Sequence, residues 1–319
     1  MPPLRTLFFG TAELACPSLD ALRRFPDANL AAVVTQPDRP KGRHLNPQPS
    51  PVKVLAVESD LGVLQPERAR DPSFIQVLSG LKPDLVIVAA YGQILPKTIL
   101  DLPRFGCLNV HASLLPKYRG AAPIQWAILN DEPETGVTIM KMDEGLDTGD
   151  IVSQRTAPID PDDDAQSMHD KLARLGATLL IESIPDYVGG RIVPRPQPPA
   201  GASYARKIRK EDGLLDWSLP ARAVWNRIRA FTPWPGARSR LAAESSMTLN
   251  IRRAEIVEAG PAAPGEILSA TRDGIVVACG QRALCILELQ REGGRRMTAR
   301  EFLAGHPLAP GQRLEGTLK

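Results

Sequence analysis

Cys107-Leu-Asn-Val-His111 sets a side-chain amide and an imidazole two residues apart. On an extended strand such residues share a face, so Asn109 and His111 would project together. Their neighbours are apolar, and buried polar side chains need partners or a task. Ala112-Ser-Leu-Leu-Pro116 must then turn off the strand, and a helix resumes from Ala122. Further on, Met142-Asp-Glu-Gly-Leu-Asp-Thr-Gly-Asp150 is a glycine-punctuated loop presenting Asp143, Asp147 and Asp150. An amide donor, an imidazole and a carboxylate suit acyl-group transfer. The amide can donate to a developing oxyanion, and losing one such donor costs about 3 kcal/mol of barrier. A carboxylate can fix the tautomer of an imidazole and stabilise its protonated form. No Ser or Cys stands in an activating motif, which favours direct attack by the acceptor over a covalent enzyme intermediate. Spacing alone leaves an alternative open: two satisfied core polar residues beside a solvated turn. A calcium hand is disfavoured, because the acidic loop lacks the terminal bidentate Glu.

The elements that must position these residues alternate. Leu4–Phe9, Leu30–Thr35, Gly62–Leu64 and Asp84–Ala90 read as strands, the last an apolar run of the kind buried on both faces. Helical spacing after Gly10 (Leu19, Leu22), over Val52–Glu58 and over Phe74–Leu81 separates them. This pattern predicts βαβ units and a mostly parallel sheet, whose ligands lie beyond the carboxyl ends of the strands. Chemistry is therefore expected just after Phe9, Thr35, Ala90 and Val110. Gly10-Thr-Ala-Glu-Leu-Ala does not fit GxGxxG, and no GxxxxGK[ST] occurs, so neither a dinucleotide fingerprint nor a P-loop is present. A strand over Val137–Met142 precedes the acidic loop, and Ala165–Val188 has helical spacing.

Arg191–Ala205 carries Pro194, Pro196, Pro198 and Pro199, which predicts a stiff, extended connector. The expected division is 1–190, a connector at 191–205, and 206–319. In the last part a helix over Pro220–Ala230 precedes short β-rich runs at Met247–Arg252, Gly265–Ser269, Gly274–Cys279 and Ala283–Leu289, the pattern of a small β-barrel.

A length of 319 residues suits two domains, and 43% hydrophobic with 24% charged residues supports packed cores. No apolar run approaches the roughly 18 residues that span a bilayer. Met1–Gly10 lacks the basic flank of a secretory signal, so a cytoplasmic location is expected. The four cysteines form no CxxC pair and no histidine lies in HExxH, so no metal is expected. Charge is uneven. Residues 206–319 hold 19 Lys and Arg against 12 Asp and Glu, a net of +7, whereas residues 1–205 have a net of −4. An acidic body with a basic tail suits chemistry in one part and a polyanion held by the other.

Three stretches resemble the methionyl-tRNA formyltransferase family: Asn109-Val-His111, Ser113-Leu-Leu-Pro-Lys-Tyr-Arg-Gly-Ala-Ala-Pro-Ile-Gln125, and Thr135–Asp150. Phe9-Gly-Thr, Thr35-Gln-Pro-Asp-Arg-Pro40, Leu215-Asp-Trp217, Arg229–Gly236 and Leu289–Thr298 extend the resemblance over nearly the whole chain. It implies an α/β fold: a Rossmann-like, doubly wound, mostly parallel sheet (the formyltransferase fold) followed by a small OB-like β-barrel. It implies transfer of formyl from 10-formyltetrahydrofolate to the α-amino group of initiator methionyl-tRNA, with no NAD, no metal and no membrane. Asn109, His111 and Asp147 match the family's catalytic residues, and Ser113, Leu114, Leu115 and Pro116 its folate-binding turn. Arg43 aligns with a basic residue that approaches the acceptor end of the tRNA. It lies in the stretch Gln36–Pro51, read as a long loop without an element of its own, with Arg39, Lys41 and His44. Lys41, Arg43, Arg206, Lys207 and Arg209 are the expected tRNA contacts. Lys210, Arg227, Arg229, Arg295 and Arg296 join them, with about half of the C-terminal residues expected in surface ion pairs. Trp217, Trp225 and Trp234 are expected in core or interface. A monomer is expected. Another 10-formyltetrahydrofolate-dependent enzyme (a sugar-amine formyltransferase or a deformylase) and a non-catalytic folate- or RNA-binding protein are the alternatives.

Overall fold

The computed structural model describes residues 3–41, 46–242 and 244–316; Arg43 and His44 lie outside them, as does the side chain of Lys41. Two compact units are present: Met1–Pro123 with Glu134–Pro158 and His169–Ala205, and Ile124–Pro133 with Ile159–Met168 and Arg206–Lys319.

In the first unit the strands are β1 (Leu4–Gly10), β2 (Ala28–Val34), β3 (Arg39–Lys41), β4 (Asn46–Gln48), β5 (Val63–Leu64), β6 (Leu85–Ala89), β7 (Cys107–His111), β8 (Arg119–Gly120), β9 (Glu134–Lys141), β10 (Ile151–Pro158) and β11 (Tyr204–Ala205). Helices α1 (Cys16–Arg24), α2 (Pro51–Glu58), α3 (Pro72–Leu81) and α4 (Lys97–Leu100) fall between them. The central sheet runs β10-β9-β7-β6-β1-β2-β5. From β5 to β7 every pairing is parallel, and β9 and β10 add antiparallel strands on one side. The parallel sheet expected from alternation is present, and β10 is an edge strand the alternation did not reveal. β6 is buried throughout, as a strand covered on both faces must be. Leu7, Phe9, Val34, Leu78, Val86 and Val88 form one core beside it. Local chemistry sets the helix starts: Ser50 accepts from the Lys53 amide at 3.0 Å and Pro51 opens α2 with no amide to satisfy.

The stretch 36–51 is not without structure: β3 and β4 pair antiparallel, Arg39 opposite Gln48 and Lys41 opposite Asn46. Prolines at 40 and 47 face each other where neither needs an amide donor, so they are compatible with this two-stranded edge.

α5 (Pro123–Leu129) and α6 (Ala165–Val188) follow the first-unit strands β8 and β10 in the chain. The second unit has α7 (Ala221–Ala230), α8 (Ala299–Gly305) and β12 (Ala237–Leu241), β13 (Glu244–Val257), β14 (Ile267–Thr271), β15 (Gly274–Ala278), β16 (Ala283–Arg291), β17 (Arg296–Thr298) and β18 (Leu314–Glu315). Its antiparallel sheet runs β14-β15-β16-β13-β12-β18, with β17 against β16. The Leu314 amide donates to the Gly265 carbonyl and the Ile267 amide to the Gln312 carbonyl, both at 2.8 Å, so the two edges meet and the sheet curls into the expected small barrel. Trp217, Val224, Ile251, Ile275, Leu284 and Phe302 fill it. α8 starts with a capping box, Thr298 and Glu301, a Thr-x-x-Glu signature.

Candidate active site

β7 carries Asn109 and His111 into the first unit between β6 and β9. Both are buried, with exposures of 9% and 6%. The Asn109 amide has no hydrogen-bond partner among the described residues. His111 is anchored: Nε2 lies 3.0 Å from the Tyr118 carbonyl oxygen. A carbonyl only accepts, so Nε2 bears the proton and the lone pair of the neutral ring sits on Nδ1. Nδ1 faces Asp147, whose Oδ2 is 3.7 Å away. That distance suits an ion pair but is too long for a hydrogen bond. The tautomer is thus set by a backbone carbonyl and not, as expected, by the carboxylate. Asp147 contributes charge.

Asp147 is itself held. Its Oδ2 accepts the Gly120 amide at 2.8 Å, and its backbone sits in the left-handed region at φ 53°. Asp tolerates that region better than most residues. Two glycines make the approach possible. A Cβ on Gly149 would lie 1.9 Å from the Lys141 carbonyl oxygen, and one on Gly120, at φ 114°, would lie 2.8 Å from the Ala205 carbonyl oxygen. The other loop acids do different work. Asp143 accepts from the Gly145 amide at 3.0 Å and from Thr148 Oγ1 at 2.7 Å, so it shapes its own loop. Asp150 offers its carbonyl to the Lys141 amide at 2.8 Å.

The turn Ser113–Pro116 is buttressed from β9 and β10. Thr138 Oγ1 donates to the Ser113 carbonyl at 2.7 Å and accepts from the Leu115 amide at 3.0 Å. Gln154 Nε2 donates to the Leu115 carbonyl at 2.8 Å and to Thr138 Oγ1 at 3.0 Å. Ser113 Oγ donates to the Lys117 carbonyl at 2.6 Å. Ser113 and Leu115 are buried, while Leu114 and Pro116 are half-buried. The Ser113 hydroxyl and carbonyl and the Leu115 amide and carbonyl are therefore consumed internally, and the half-buried Leu114 and Pro116 side chains offer a ligand apolar surface. Thr138, Gln154 and the Tyr118 carbonyl were not singled out by the sequence, although an isolated Thr inside the apolar run of β9 is a signal of a buried polar task.

The ends of β1, β2 and β6, where chemistry was expected, are tied together by side chains. Thr11 Oγ1 and Gln36 Nε2 both donate to the Tyr91 carbonyl, at 2.9 and 2.8 Å. Asp38 binds Lys53 at 2.7 Å and Gln65 at 2.8 Å, and the Lys53 hydrogen bond holds its carboxyl below the usual range.

The stretch expected as a connector packs within the first unit against Ile151 and the segment around β8. Arg195 exchanges backbone hydrogen bonds with Ile151 at 2.7 and 2.9 Å. Ser203 Oγ accepts the Tyr118 amide at 2.9 Å, and β11 pairs in parallel with β8.

In the second unit, Arg206 forms a two-pronged pair with Asp212, at 2.7 and 2.8 Å, and lies 5.3 Å from the Trp126 ring centre. This pairing holds the Asp212 carboxyl below its ordinary pKa. Lys207 and Arg209 are exposed. Arg295 pairs with Glu301 at 2.9 Å, and Arg296 with Glu288. Arg229 departs from the phosphate-contact expectation. It is 9% exposed, donates to the Asp163 carbonyl at 2.9 Å and to Asn226 at 2.9 Å, and stacks 3.8 Å from the centre of the Trp225 ring. Burial, with the nearby Arg222 charge, pushes its pKa down to about 10, and it remains a cation at neutral pH. Trp217 is core, as expected, but Trp234 is 55% exposed. Among the described residues no helix is long and apolar enough to cross a membrane, and no cluster of His, Cys, Asp or Glu is arranged to hold a metal ion.

Residues 4–184 match the formyl transferase family, and residues 207–307 match the formyl transferase C-terminal domain. The methionyl-tRNA formyltransferase of Citrifermentans bemidjiense is 52% identical over 98% of this chain and 96% of its own length. That of Caldanaerobacter subterraneus subsp. tengcongensis is 49% identical over 97% of this chain and 99% of its own. Among solved structures, the sugar 3N-formyl transferase WlaRD has a TM-score of 0.64 at 19% identity, covering 90% of this chain and 97% of that one. HypX from Aquifex aeolicus in complex with tetrahydrofolic acid has a TM-score of 0.60 at 18% identity; 94% of this chain aligns with 47% of HypX, so the chain spans about half of that protein. These two likenesses establish the fold, and the close relatives establish the lineage. The chain belongs to the formyl transferases, in the methionyl-tRNA formyltransferase family.

Proposed function

We propose that the protein transfers the formyl group of 10-formyltetrahydrofolate to the α-amino group of initiator methionyl-tRNA. The observation that carries the reading is an Asn109 side-chain amide with uncommitted donors, on the same strand face as an imidazole that opposes a carboxylate at 3.7 Å. That amide is reached by solvent, so it can exchange water for an oxyanion as charge develops on the carbonyl oxygen.

The attacking amine must be neutral. An α-amino group titrates near about 8, and lower when the carboxyl is esterified, so a useful fraction is free without a strong base. The amine nitrogen bonds to the formyl carbon, and the carbonyl oxygen takes negative charge facing Asn109. His111 Nδ1, the ring nitrogen not engaged by Tyr118, receives the amine proton and returns it to the departing folate nitrogen. Asp147 stabilises the cationic ring meanwhile. The carbon–nitrogen bond to folate then breaks, and charge and protons balance.

Folate fits the turn in one respect. Leu114 and Pro116 would meet the folate through apolar surface, while Ser113 and Leu115, whose polar groups bond within the protein, hold the shape. In our reading residues 1–190 carry the chemistry, and Lys207 and Arg209 in 206–319 contact tRNA phosphates. Arg43 and Lys41 would approach the acceptor end. The protein would act as a cytoplasmic monomer.

The test mixes the protein and 10-formyltetrahydrofolate with charged initiator tRNA, with a sugar amine, or with buffer. Formyl on methionine is the expected result. Formyl on the sugar amine, or formate in buffer alone, would select another enzyme of the same chemistry.

A further inference from the structure

Gln197 stands in the proline-rich stretch, between Pro196 and Pro198, fifty residues beyond the loop it touches. Its Nε2 donates to two carbonyls of the acidic loop, Asp147 and Gly149, both at 2.8 Å. Its Oε1 accepts from Arg119 Nε at 3.0 Å and Nη2 at 2.7 Å. Both donors and both acceptor positions are used, so the orientation of the amide is fixed by its partners. Arg119 directly precedes Gly120, whose amide holds the Asp147 carboxylate. Gln197 therefore grips the residue that faces His111 at its own carbonyl and, through Arg119, steadies the amide that holds its side chain.

The backbone around Gln197 is built to keep that grip. Arg195 is doubly hydrogen-bonded to Ile151, just past the acidic loop. Flanking prolines restrict the chain before folding, so ordering this segment costs less entropy than it would for a flexible one.

We infer that Gln197 is a positioning residue for formyl transfer, holding Asp147 at its distance from the imidazole. The inference rests on the reading that Asp147 serves the reaction. Replacing Gln197 leaves the folate turn untouched, because Thr138 and Gln154 hold that turn independently. Loss should therefore fall on turnover and spare folate binding. Displacing a catalytic group by about 1 Å can cost as much as a hundredfold.

The experiment is a double-mutant cycle of Gln197→Ala with Asp147→Asn, in single turnover with saturating 10-formyltetrahydrofolate and charged initiator tRNA. Q197A alone should lower the transfer rate at least about tenfold, with folate KM within about threefold. On the D147N background the same change should cost less than about twofold, since the residue acts through Asp147. Gln197→Glu keeps an acceptor for Arg119 but removes both donors, and should lose as much as Q197A. A wild-type rate in Q197A or Q197E, or an undiminished loss on the D147N background, overturns the inference. A wild-type rate in D147N instead overturns the catalytic reading beneath it, so the two failures are distinct.

Discussion

The Tyr118 carbonyl lies 3.0 Å from His111 Nε2 and so leaves Nδ1 as the nitrogen that faces Asp147. This inverts the familiar arrangement in which a carboxylate fixes the tautomer. Here a backbone oxygen fixes it, and the carboxylate acts through its charge once the ring gains a proton.

Asp147→Asn should show that charge, and not shape, is needed. An amide can still accept from Gly120, so the loop should hold its form. Turnover should fall by about two orders of magnitude, the usual worth of acid–base assistance. Folate affinity should stay within a few-fold. Single-turnover rates and a folate titration check both.

Thr138→Val keeps the volume and removes a hydroxyl that serves Ser113, Leu115 and Gln154. The buried Leu115 amide and Ser113 carbonyl lose a partner, at about 1–3 kcal/mol of stability. Folate KM should rise about tenfold with kcat less affected, a pattern of lost ground-state binding. Chemical denaturation and steady-state kinetics separate the two effects.

Among the basic residues of the second unit, burial should divide stability from RNA binding. Arg229→Ala removes the guanidinium hydrogen bonds to the Asp163 carbonyl and to Asn226 and uncovers Trp225, at about 2–4 kcal/mol. Lys207→Ala and Arg209→Ala should leave stability unchanged, weaken tRNA binding and reduce its salt dependence by about one ion each. Urea melts and binding at several salt concentrations distinguish the classes. Equal salt slopes in wild type and both exposed variants would count against phosphate contact.

Acid should weaken the second unit through Asp212 and Asp131, whose carboxyls are lowered first of all by hydrogen bonds from Arg206 and Arg222. A carboxyl that titrates lower when folded stabilises above its unfolded pKa, near about 3.9, and the benefit disappears as pH falls through the folded value. Asp212→Asn should therefore melt below wild type at pH 6, and the gap should narrow below about pH 4. A gap that widens in acid would contradict the sign.

What the sequence made legible follows the kind of pattern each feature leaves. Asn109 and His111 were visible because a strand repeats every two residues and both break an apolar run. The parallel sheet was visible in alternating apolar periods, and the barrel in short strands between Gly and Pro turns. The Tyr118 carbonyl and the Gly120 amide leave no such mark, because every residue carries those groups and only the turn aims them. Gln197 was hidden by distance along the chain and by prolines that signal a spacer. Arg229 lies one helical turn from Trp225 and Asn226, a spacing that marks burial more reliably than the charge marks a surface. The β3–β4 hairpin was masked by prolines, which usually argue against strands and here sit on an edge.

The central claim is that the Asn109 amide receives the oxygen that gains charge as formyl changes nitrogen. Single-turnover formylation of charged initiator tRNA by Asn109→Ala, with folate binding measured in parallel, tests it most directly. The rate should fall about a hundredfold to a thousandfold, the cost of one oxyanion donor, with folate bound as in the wild type. A wild-type rate in that variant would contradict the account.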